Sequence, residues 1–276
     1  MKSQTHNLEK TLKTLDLFGK LKPEEKVEII KPKVKRNETL DLIVEKYKEG
    51  LENYVLFKED KLKIKIPEDE YFEYYIAKPL SPLEIPSERI TEFSLLLGEH
   101  ENNKYFKAFT GYYLSALINS SKEQDFKIFT NYLSRTIHDI GYKNTKNIVV
   151  NGNVGNWVGE RMKSGEITIN GNARSGVGVG MEDGKITING NAGYGVGVGM
   201  EDGKITVNGN AGRWVGLEMK DGEITVNGNA GNWVGWYMKG GEIHLNGDYE
   251  ILSKYISGGN IYHKGKLIVE KGRKLI

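Results

Sequence analysis

A 19-residue repeat fills the second half of the chain, and no other feature constrains the fold as strongly. Its copies align without a gap, the last being shorter, and begin at Ile148, Ile167, Ile186, Ile205, Ile224 and Ile243. Each copy opens with a β-branched stretch and Asn-Gly-Asn, then runs through a glycine-rich segment to a methionine and a tight turn. Because glycine costs about 1 kcal/mol at each helical position, copies with up to six glycines exclude a helical-hairpin repeat.

The repeat predicts a parallel β-helix. The Ile-x-Ile/Val alternation is typical of a strand, and the Asn-Gly pairs supply the positive φ that corners need. One copy cannot bury its own apolar face, whereas stacked coils, spaced at about 4.8 Å, bury it together. The columns that contain Ile167, Ile169, Val158 and Met162 are therefore expected inside. The coincidence of the methionine column with apolar columns favours core packing over soft-metal binding.

The polar columns are expected on the outside of the coils. The threonines alternate with interior isoleucines and should face solvent, whereas the asparagines lie at a corner, where stacked amides can hydrogen-bond in a ladder. The threonine column is Thr168, Thr187, Thr206 and Thr225. The asparagine column is Asn170, Asn189, Asn208 and Asn227.

The glycine spacing carries a family resemblance. The pattern G-x-x-G-x-x-x-G, as in Gly190/Gly193/Gly197, with its NGNAG and Met-x-x-Gly contexts, resembles the GXGXG-repeat β-helix family. That family includes the β-helical subunit of formylmethanofuran dehydrogenase and the C-terminal domain of the glutamate synthase large subunit. The resemblance covers residues 146–248 and implies a right-handed helix that serves as a structural and assembly element without catalytic side chains. One coil departs from the pattern, because Arg174 replaces its middle glycine.

Two regions are predicted. Residues 1–145 are expected to be a mixed α/β region ending in three capping helices, and residues 146–276 a parallel β-helix with a C-terminal cap. The fold class is thus an α+β N-terminal region followed by a right-handed parallel β-helix of 19-residue coils. The capping helices are expected within residues 86–141. The third opens at the capping-box pattern of Ser121 with Gln124.

Shorter elements are predicted on both sides. Two helices are expected before Pro32, and a third is expected to end at Gly50. The segments NYVLF and KLKIKI, joined by a Glu59-Asp60 turn, predict a hairpin to which YFEYYIAK adds a strand. After the last coil, Gly259 begins another turn and KGKLIVEKG is expected to close the sheet.

Composition excludes several classes of protein. Lys plus Arg total 39 and Asp plus Glu 37, so the net charge of +2 gives no reason to expect nucleic acid. The absence of cysteine excludes disulfides, thiolate metal sites and a thiol nucleophile. No apolar run approaches the roughly 20 residues of a membrane helix, and the first residues lack a signal-peptide core. We therefore expect a cytoplasmic protein without membrane or nucleic-acid partners.

A candidate interaction patch lies on the outside of the coils. The position before the interior valine is tryptophan in the first coil, glycine in the next two and tryptophan in the two after them. This order predicts a glycine-floored strip about 14 Å wide with indoles on both sides. Clustered Trp and Tyr anchor interfaces, and an equally open interpretation is that the backbone requires these glycines while the tryptophans cover corners. The patch comprises Trp157, Arg174, Gly176, Tyr194, Gly195, Trp214, Trp233, Trp236 and Tyr237. We expect strain at Arg174 if the backbone there has a positive φ.

Other titratable residues give weaker signals. The acidic edge Glu182, Asp183, Glu201 and Asp202 suits either an ion site or two Asp-Gly turns softened by nearby lysines. His244 and His263 are 19 residues apart and would face each other if the period continued, but no third ligand accompanies them. His100 and His138 are assigned to a surface loop and a helix end.

The sequence predicts a non-catalytic scaffold or interaction protein with a protein partner. It contains no convergent acid–base or nucleophile set, so no catalytic residue, cofactor site or metal site is predicted. Any link to catalysis would be as an assembly subunit of an oxidoreductase related to formylmethanofuran dehydrogenase or glutamate synthase. The alternative is a carbohydrate-binding or carbohydrate-cleaving β-helix protein. Ice binding is disfavoured, because the single threonine column is bordered by Val149 and His244.

Overall fold

The computed structural model describes residues 34–59, 67–80 and 83–275. The helices are α1 (Glu38–Lys58), α2 (Glu68–Tyr71), a π-helix (Phe72–Ala77), α3 (Lys78–Leu80), α4 (Ser87–Ser94), a 3₁₀ helix (Leu97–Glu99) and α5 (Phe106–Ser120). The strands are β1 (Asp125–Phe129), β2 (Asn147–Asn151), β3 (Glu166–Asn170), β4 (Lys185–Ile188), β5 (Lys204–Val207), β6 (Glu223–Val226), β7 (Ala230–Val234), β8 (Glu242–Leu245), β9 (Tyr249–Leu252), β10 (Asn260–His263), β11 (Lys266–Glu270) and β12 (Arg273–Lys274). Within these ranges no helix is long and apolar enough to span a membrane.

The C-terminal part is a parallel β-solenoid with one main strand per coil. Strands β1 to β6, β8 and β10 pair in that order, each with the equivalent strand of the next coil. Ile167 pairs with Ile186, and Ile186 with Ile205, so the register equals the 19-residue repeat. Strands β7 and β9 form a second parallel pair. The predicted parallel β-helix of 19-residue coils is confirmed.

Ladders of similar residues fill the solenoid interior. The isoleucine, valine and methionine columns are buried, with exposed fractions of 0–1%. The threonines between them are only half-buried and lie on the outer side of the strands. Because the register is unbroken from β3 to β6, each interior side chain packs between its own equivalents in the coils before and after it.

Two asparagine ladders run parallel to the axis. In the first, each side-chain Nδ2 donates to Oδ1 of the asparagine one coil earlier, at 2.7–2.8 Å, from Asn170 to Asn246. In the second, a backbone N–H donates to Oδ1 of the asparagine one coil earlier, at 2.8–2.9 Å, from Asn172 to Asp248. The predicted amide ladder is confirmed, and it satisfies polar groups at a corner where the chain leaves the sheet.

Helix α1 continues through Gly50, where the sequence predicted its end. Leu51 and Tyr54 extend the buried face that begins at Leu40, so the apolar period outweighs the low helix propensity of glycine. The glycine permits a close approach, because a Cβ atom there would lie 2.7 Å from Cζ of Phe109. The predicted strand over NYVLF is therefore wrong, since these residues form the last turns of α1.

The segment YFEYYIAK is also helical rather than a strand. It spans the end of α2, the π-helix and the start of α3, and it buries Tyr71, Phe72 and Ile76 at helical spacing. The predicted strand over KLKIKI and the two helices predicted before Pro32 lie outside the described residues.

The third predicted capping helix is wrong, because residues 125–129 form strand β1. Phe126 and Ile128 are buried while Asp125 is exposed, and Phe126 pairs with Ile148 of β2 in a parallel register. An alternation this short fits both a helix and a strand, and pairing with a distant strand decides between them. The sheet therefore begins before residue 146, where the sequence placed the start of the β-helix.

Helix α4 covers the outer edge of β1. Thr91 Oγ1 donates to the carbonyl of Lys127 at 2.8 Å, and the N–H of Phe129 donates to Ser94 Oγ at 3.2 Å. An unpaired strand edge would otherwise be a template for association with another chain. Two hydroxyl groups from the helical region thus satisfy backbone groups at the N-terminal edge of the sheet.

An antiparallel extension closes the C-terminal end. Strand β10 pairs in parallel with β8, Ile261 opposite Ile243, and β11 and β12 then add antiparallel. The additional turn predicted at Gly259 and the predicted closing strand are confirmed. The step from Ile243 to Ile261 takes 18 residues instead of 19, which shifts every later side chain relative to the repeat.

We predict that Met200→Asp lowers the free energy of unfolding by about 3 kcal/mol or more, because it places an unpaired charge in the apolar interior. Met200 is fully buried between its equivalents in the adjacent coils. Chemical denaturation of the full chain provides the measurement. The control is Thr206→Asp on the outer side of a strand, which should cost far less. Equal midpoints for both variants and the parent would show that the interior is assigned incorrectly.

We predict that Ser94→Ala destabilises the protein by about 1–3 kcal/mol, because the buried N–H of Phe129 loses its acceptor. The variant should also self-associate on mild heating, since the edge of β1 is less well covered. Light scattering and denaturation midpoints test both effects. The control is Ser120→Ala, which removes only a local hydroxyl contact to Leu117. Indistinguishable behaviour of the two variants would argue against the edge-capping role.

Candidate functional site

Three tryptophans occupy a left-handed backbone position on the outside of the solenoid. Trp157, Trp214 and Trp233 have φ angles of 60°, 64° and 61°, whereas Gly176 and Gly195 fill the same position in the two middle coils with 78° and 72°. This region costs a residue with a Cβ atom about 1–2 kcal/mol relative to glycine. Glycine is thus required by the backbone here, and tryptophan is retained against a conformational cost that other interactions must offset.

Six aromatic rings follow one another along the C-terminal half of this surface, and we call them the aromatic row. Its members are Tyr194, Trp214, Trp233, Trp236, Tyr237 and Tyr255. Centroids of successive rings are 5.6–6.1 Å apart. The planes of Trp214 and Trp233 differ by only 14°, and those of Tyr237 and Tyr255 by 25°. The solenoid therefore brings together five of the aromatic residues predicted as a patch.

Tyr255 was missed by the sequence analysis. It follows Tyr237 by 18 residues, and its carbonyl accepts a hydrogen bond of 2.6 Å from the N–H of Tyr237. An alignment with a fixed 19-residue period places Ile256 at this position instead. Tyr255 is equivalent to Tyr237 because the last coil is one residue shorter, and this shortening is visible only in the register of the sheet.

Four rings of the aromatic row are exposed, whereas Trp214 and Trp236 are half-buried. Tyr194 is 52% exposed, Trp233 37% and Tyr255 60%. The guanidinium carbon of Arg213 lies 5.8 Å from the ring centroid of Trp233, which adds a cation–π contact. The row thus presents exposed aromatic rings with one cation at its margin, a composition typical of a protein interface.

Trp157 stands apart from the aromatic row. Its ring contacts His138, with centroids 6.0 Å apart, and it covers Gly176, where an added Cβ atom would lie 2.6 Å from Trp157 Cδ1. The predicted glycine floor is therefore partly filled. It remains open at Gly195, where a Cβ atom would meet only Val198, and at Gly199, where it would meet nothing within 4 Å.

The backbone strain that was expected at Arg174 is absent. Neither Arg174 nor the equivalent Gly193 and Gly212 has a positive φ. Those glycines are needed for space instead, since a Cβ atom at Gly193 would lie 2.9 Å from the backbone of Arg174, and one at Gly212 would lie 2.5 Å from the ring of Tyr194. Arg174 is exposed, and no ring of the described residues contacts its guanidinium group.

Arg174 instead acts electrostatically on His138. Burial lowers the pKa of the His138 imidazole, and the nearby charges of Lys107, Arg174 and Arg135 lower it further. The group formed by Trp157, His138 and Arg174 therefore has no ring contact with the aromatic row among the described residues, and the single patch of the sequence analysis stays a prediction.

The aspartates of the acidic edge stabilise the two Asp-Gly turns. Asp183 Oδ1 accepts from the N–H of Gly184 at 2.6 Å, and Asp202 Oδ1 accepts from Gly203 at 2.7 Å. Glu201 forms an ion pair of 2.5 Å with Lys220. In the part of the chain that the structure describes, no group of three or more His, Cys, Asp or Glu residues could hold a metal ion.

The two C-terminal histidines do not face each other. Because the last coil is one residue short, His244 is opposite Tyr262, and its ring stacks on that tyrosine with centroids 4.6 Å apart. His263 is opposite Leu245 and contacts Tyr249 instead. The arrangement that a two-histidine site would have needed is therefore absent.

Comparison with known proteins adds no assignment. No family model matches this chain, and no curated protein matches it.

We predict that Trp233→Gly is more stable than Trp233→Ala, by about 1 kcal/mol, because only glycine adopts the left-handed backbone without cost. Both variants lose the same ring contacts, so the difference isolates the backbone. Denaturation midpoints of the two variants provide the test. Trp236 does not have a positive φ, and the same pair of substitutions there should show alanine equal to or better than glycine. An identical order at both positions would contradict the proposed conformational cost.

Proposed function

We propose that this protein is a non-catalytic β-helix scaffold that binds a protein partner through the aromatic row. The observation that carries the proposal is the retention of Trp214 and Trp233 at a backbone position where glycine is less costly. Both rings stack, and Trp233 remains exposed. Tryptophan and tyrosine supply most of the binding energy in many protein interfaces.

The solenoid favours this role because it holds the rings rigidly. Successive coils are joined by sheet hydrogen bonds, amide ladders and a continuous apolar interior, so the rings need little ordering when a partner binds. Pre-organisation of this kind lowers the entropic cost of association. An exposed row of fixed aromatic side chains is therefore suited to a specific and lasting contact.

The stacking geometry favours a protein over a carbohydrate. A sugar ring lies flat on the face of an aromatic side chain, but Trp214 and Trp233 stack on each other with centroids 6.0 Å and planes 14° apart, so each ring partly covers one face of the other. Tyr237 and Tyr255 do the same at 25°. The stacked pairs leave fewer ring faces open to a sugar, whereas the side chains of a protein pack against ring edges as well as faces.

A more specific form of the proposal follows from the glycine spacing. We propose that the chain is related to the GXGXG-repeat β-helix family and that its partner is the catalytic component of a multi-subunit oxidoreductase. The similarity of the repeat pattern to the β-helices of formylmethanofuran dehydrogenase and glutamate synthase supports this relation. The β-helix would then organise the assembly, and the partner would supply the catalytic side chains and cofactors.

The test is co-purification from the native host, followed by measurement of affinity for the partner that is recovered. We predict that the double variant Trp233→Ala/Tyr255→Ala weakens binding by about 30-fold or more, the loss of roughly 2 kcal/mol expected for a central aromatic anchor. The control is Tyr75→Ala, which removes an exposed ring outside the row. Equal affinities for all forms would exclude the row as the interface. Glycan binding that depends on the same two residues would favour the carbohydrate alternative.

A further inference from the structure

A cleft of about 710 Å³ lies where the helical region meets the first coils. Its walls are the π-helix with the start of α3, the C-terminal end of α5, the loop before β2 and the turn between β2 and β3. Three lysines from three of these segments line it, namely Lys78, Lys143 and Lys163, whereas Glu73 is the only carboxylate among the described residues that line it. The volume is within the range of small-molecule sites.

The π-helix shapes one wall of the cleft. The backbone N–H of Lys78 donates to the carbonyl of Glu73, five residues earlier, which widens the turn. Pro79 follows directly, and its ring lacks an N–H and clashes with the preceding turn of a regular α-helix. The wide turn accommodates the proline and brings Glu73, Tyr74 and Lys78 to the same cleft. Such turns are rare and occur often at functional sites.

The positive charges of the cleft are only partly neutralised. Lys143 Nζ lies 2.7 Å from Glu73 Oε1, so this pair is compensated. Lys78 Nζ lies 5.6 Å from the centroid of Tyr74 and, like Lys163, has no carboxylate partner within the described ranges. Both side chains are exposed. Two ammonium groups that pair with no carboxylate of the described residues therefore line the concave space.

The loop that carries Lys143 is held in place by Asn119 of α5. The amide Nδ2 of Asn119 donates to the carbonyls of Tyr142 and Lys143 at 3.2 and 3.4 Å, and its Oδ1 accepts from the N–H of Thr145 at 3.4 Å. The position of the Lys143 backbone is thus fixed relative to α5.

We propose that this cleft binds a compact anion of the phosphate class that carries at least two negative charges. Lys78 and Lys163 make the first contacts, and Lys143 joins them by exchanging the Glu73 carboxylate for the ligand. Lysine is a common phosphate ligand, and it acts as a point charge that tolerates different ligand geometries. The concave shape and the net charge of +2 for the whole chain favour a small ligand over nucleic acid.

The test is a titration of the full chain with pyrophosphate at low ionic strength, with the heat of binding measured by isothermal titration calorimetry. We predict saturable binding at one site and at least a tenfold loss of affinity in Lys78→Gln/Lys163→Gln. The matched control, Lys239→Gln/Lys254→Gln, removes two exposed lysines near the other end of the solenoid and should bind like the parent. Glu73→Gln should raise the affinity severalfold, because Lys143 is released from its ion pair.

Several results would overturn the proposal. Absence of saturable binding up to about 1 mM pyrophosphate would exclude a site of useful affinity. An equal loss of affinity in the control variant would show that general surface charge is responsible. Weaker binding in Glu73→Gln would contradict the exchange of Lys143. Because the substituted lysines are exposed, the variants should have the same melting temperature as the parent in the absence of ligand. Equal melting temperatures would exclude unfolding as the cause of a lower affinity.

Discussion

The in-register stacking of coils is the constraint on which the rest of the structure depends. Each main strand forms its hydrogen bonds with the equivalent strand of the next coil, and each interior side chain packs on its own equivalents. The same register aligns the asparagine amides. It also explains why corners require glycine, as at Gly203, where φ is 92° and a Cβ atom would lie 2.7 Å from the carbonyl oxygen of Gly184. A one-residue slip would break all of these contacts together.

Features that repeat were predictable from the sequence, and features that depend on a single contact were not. The interior columns, the amide ladder and most of the aromatic row follow from a fixed period. Tyr255 was missed because one coil is a residue shorter. The strain expected at Arg174 was wrong because a glycine column can reflect crowding by the neighbouring coil as well as a positive φ, and sequence alone does not separate these causes. Strand β1 was mistaken for a helix because its partner lies far along the chain.

The two ends of the solenoid differ in chemistry. Near the helical region the surface is cationic, with a cleft lined by lysines and with Trp157 and Arg174 beside His138. Towards the C-terminus the surface is aromatic, from Tyr194 to Tyr255. The two glycine-bearing coils lie between them, and they contribute Arg174 to the first surface and Tyr194 to the second. The two surfaces are held at a fixed spacing, because in-register strand pairs join the coils between them.

The left-handed positions also bear on how such a surface can change over evolutionary time. In a second column, Arg161, Gly199, Glu218 and Tyr237 share nearly the same backbone angle, with φ of 52°, 61°, 55° and 54°. A cation, a bare glycine, an anion and an aromatic ring therefore occupy equivalent sites above an unchanged interior. Mutations there alter the outer face one coil at a time and leave the register intact. The charge and shape of the outer face can thus change by single substitutions, without any redesign of the core.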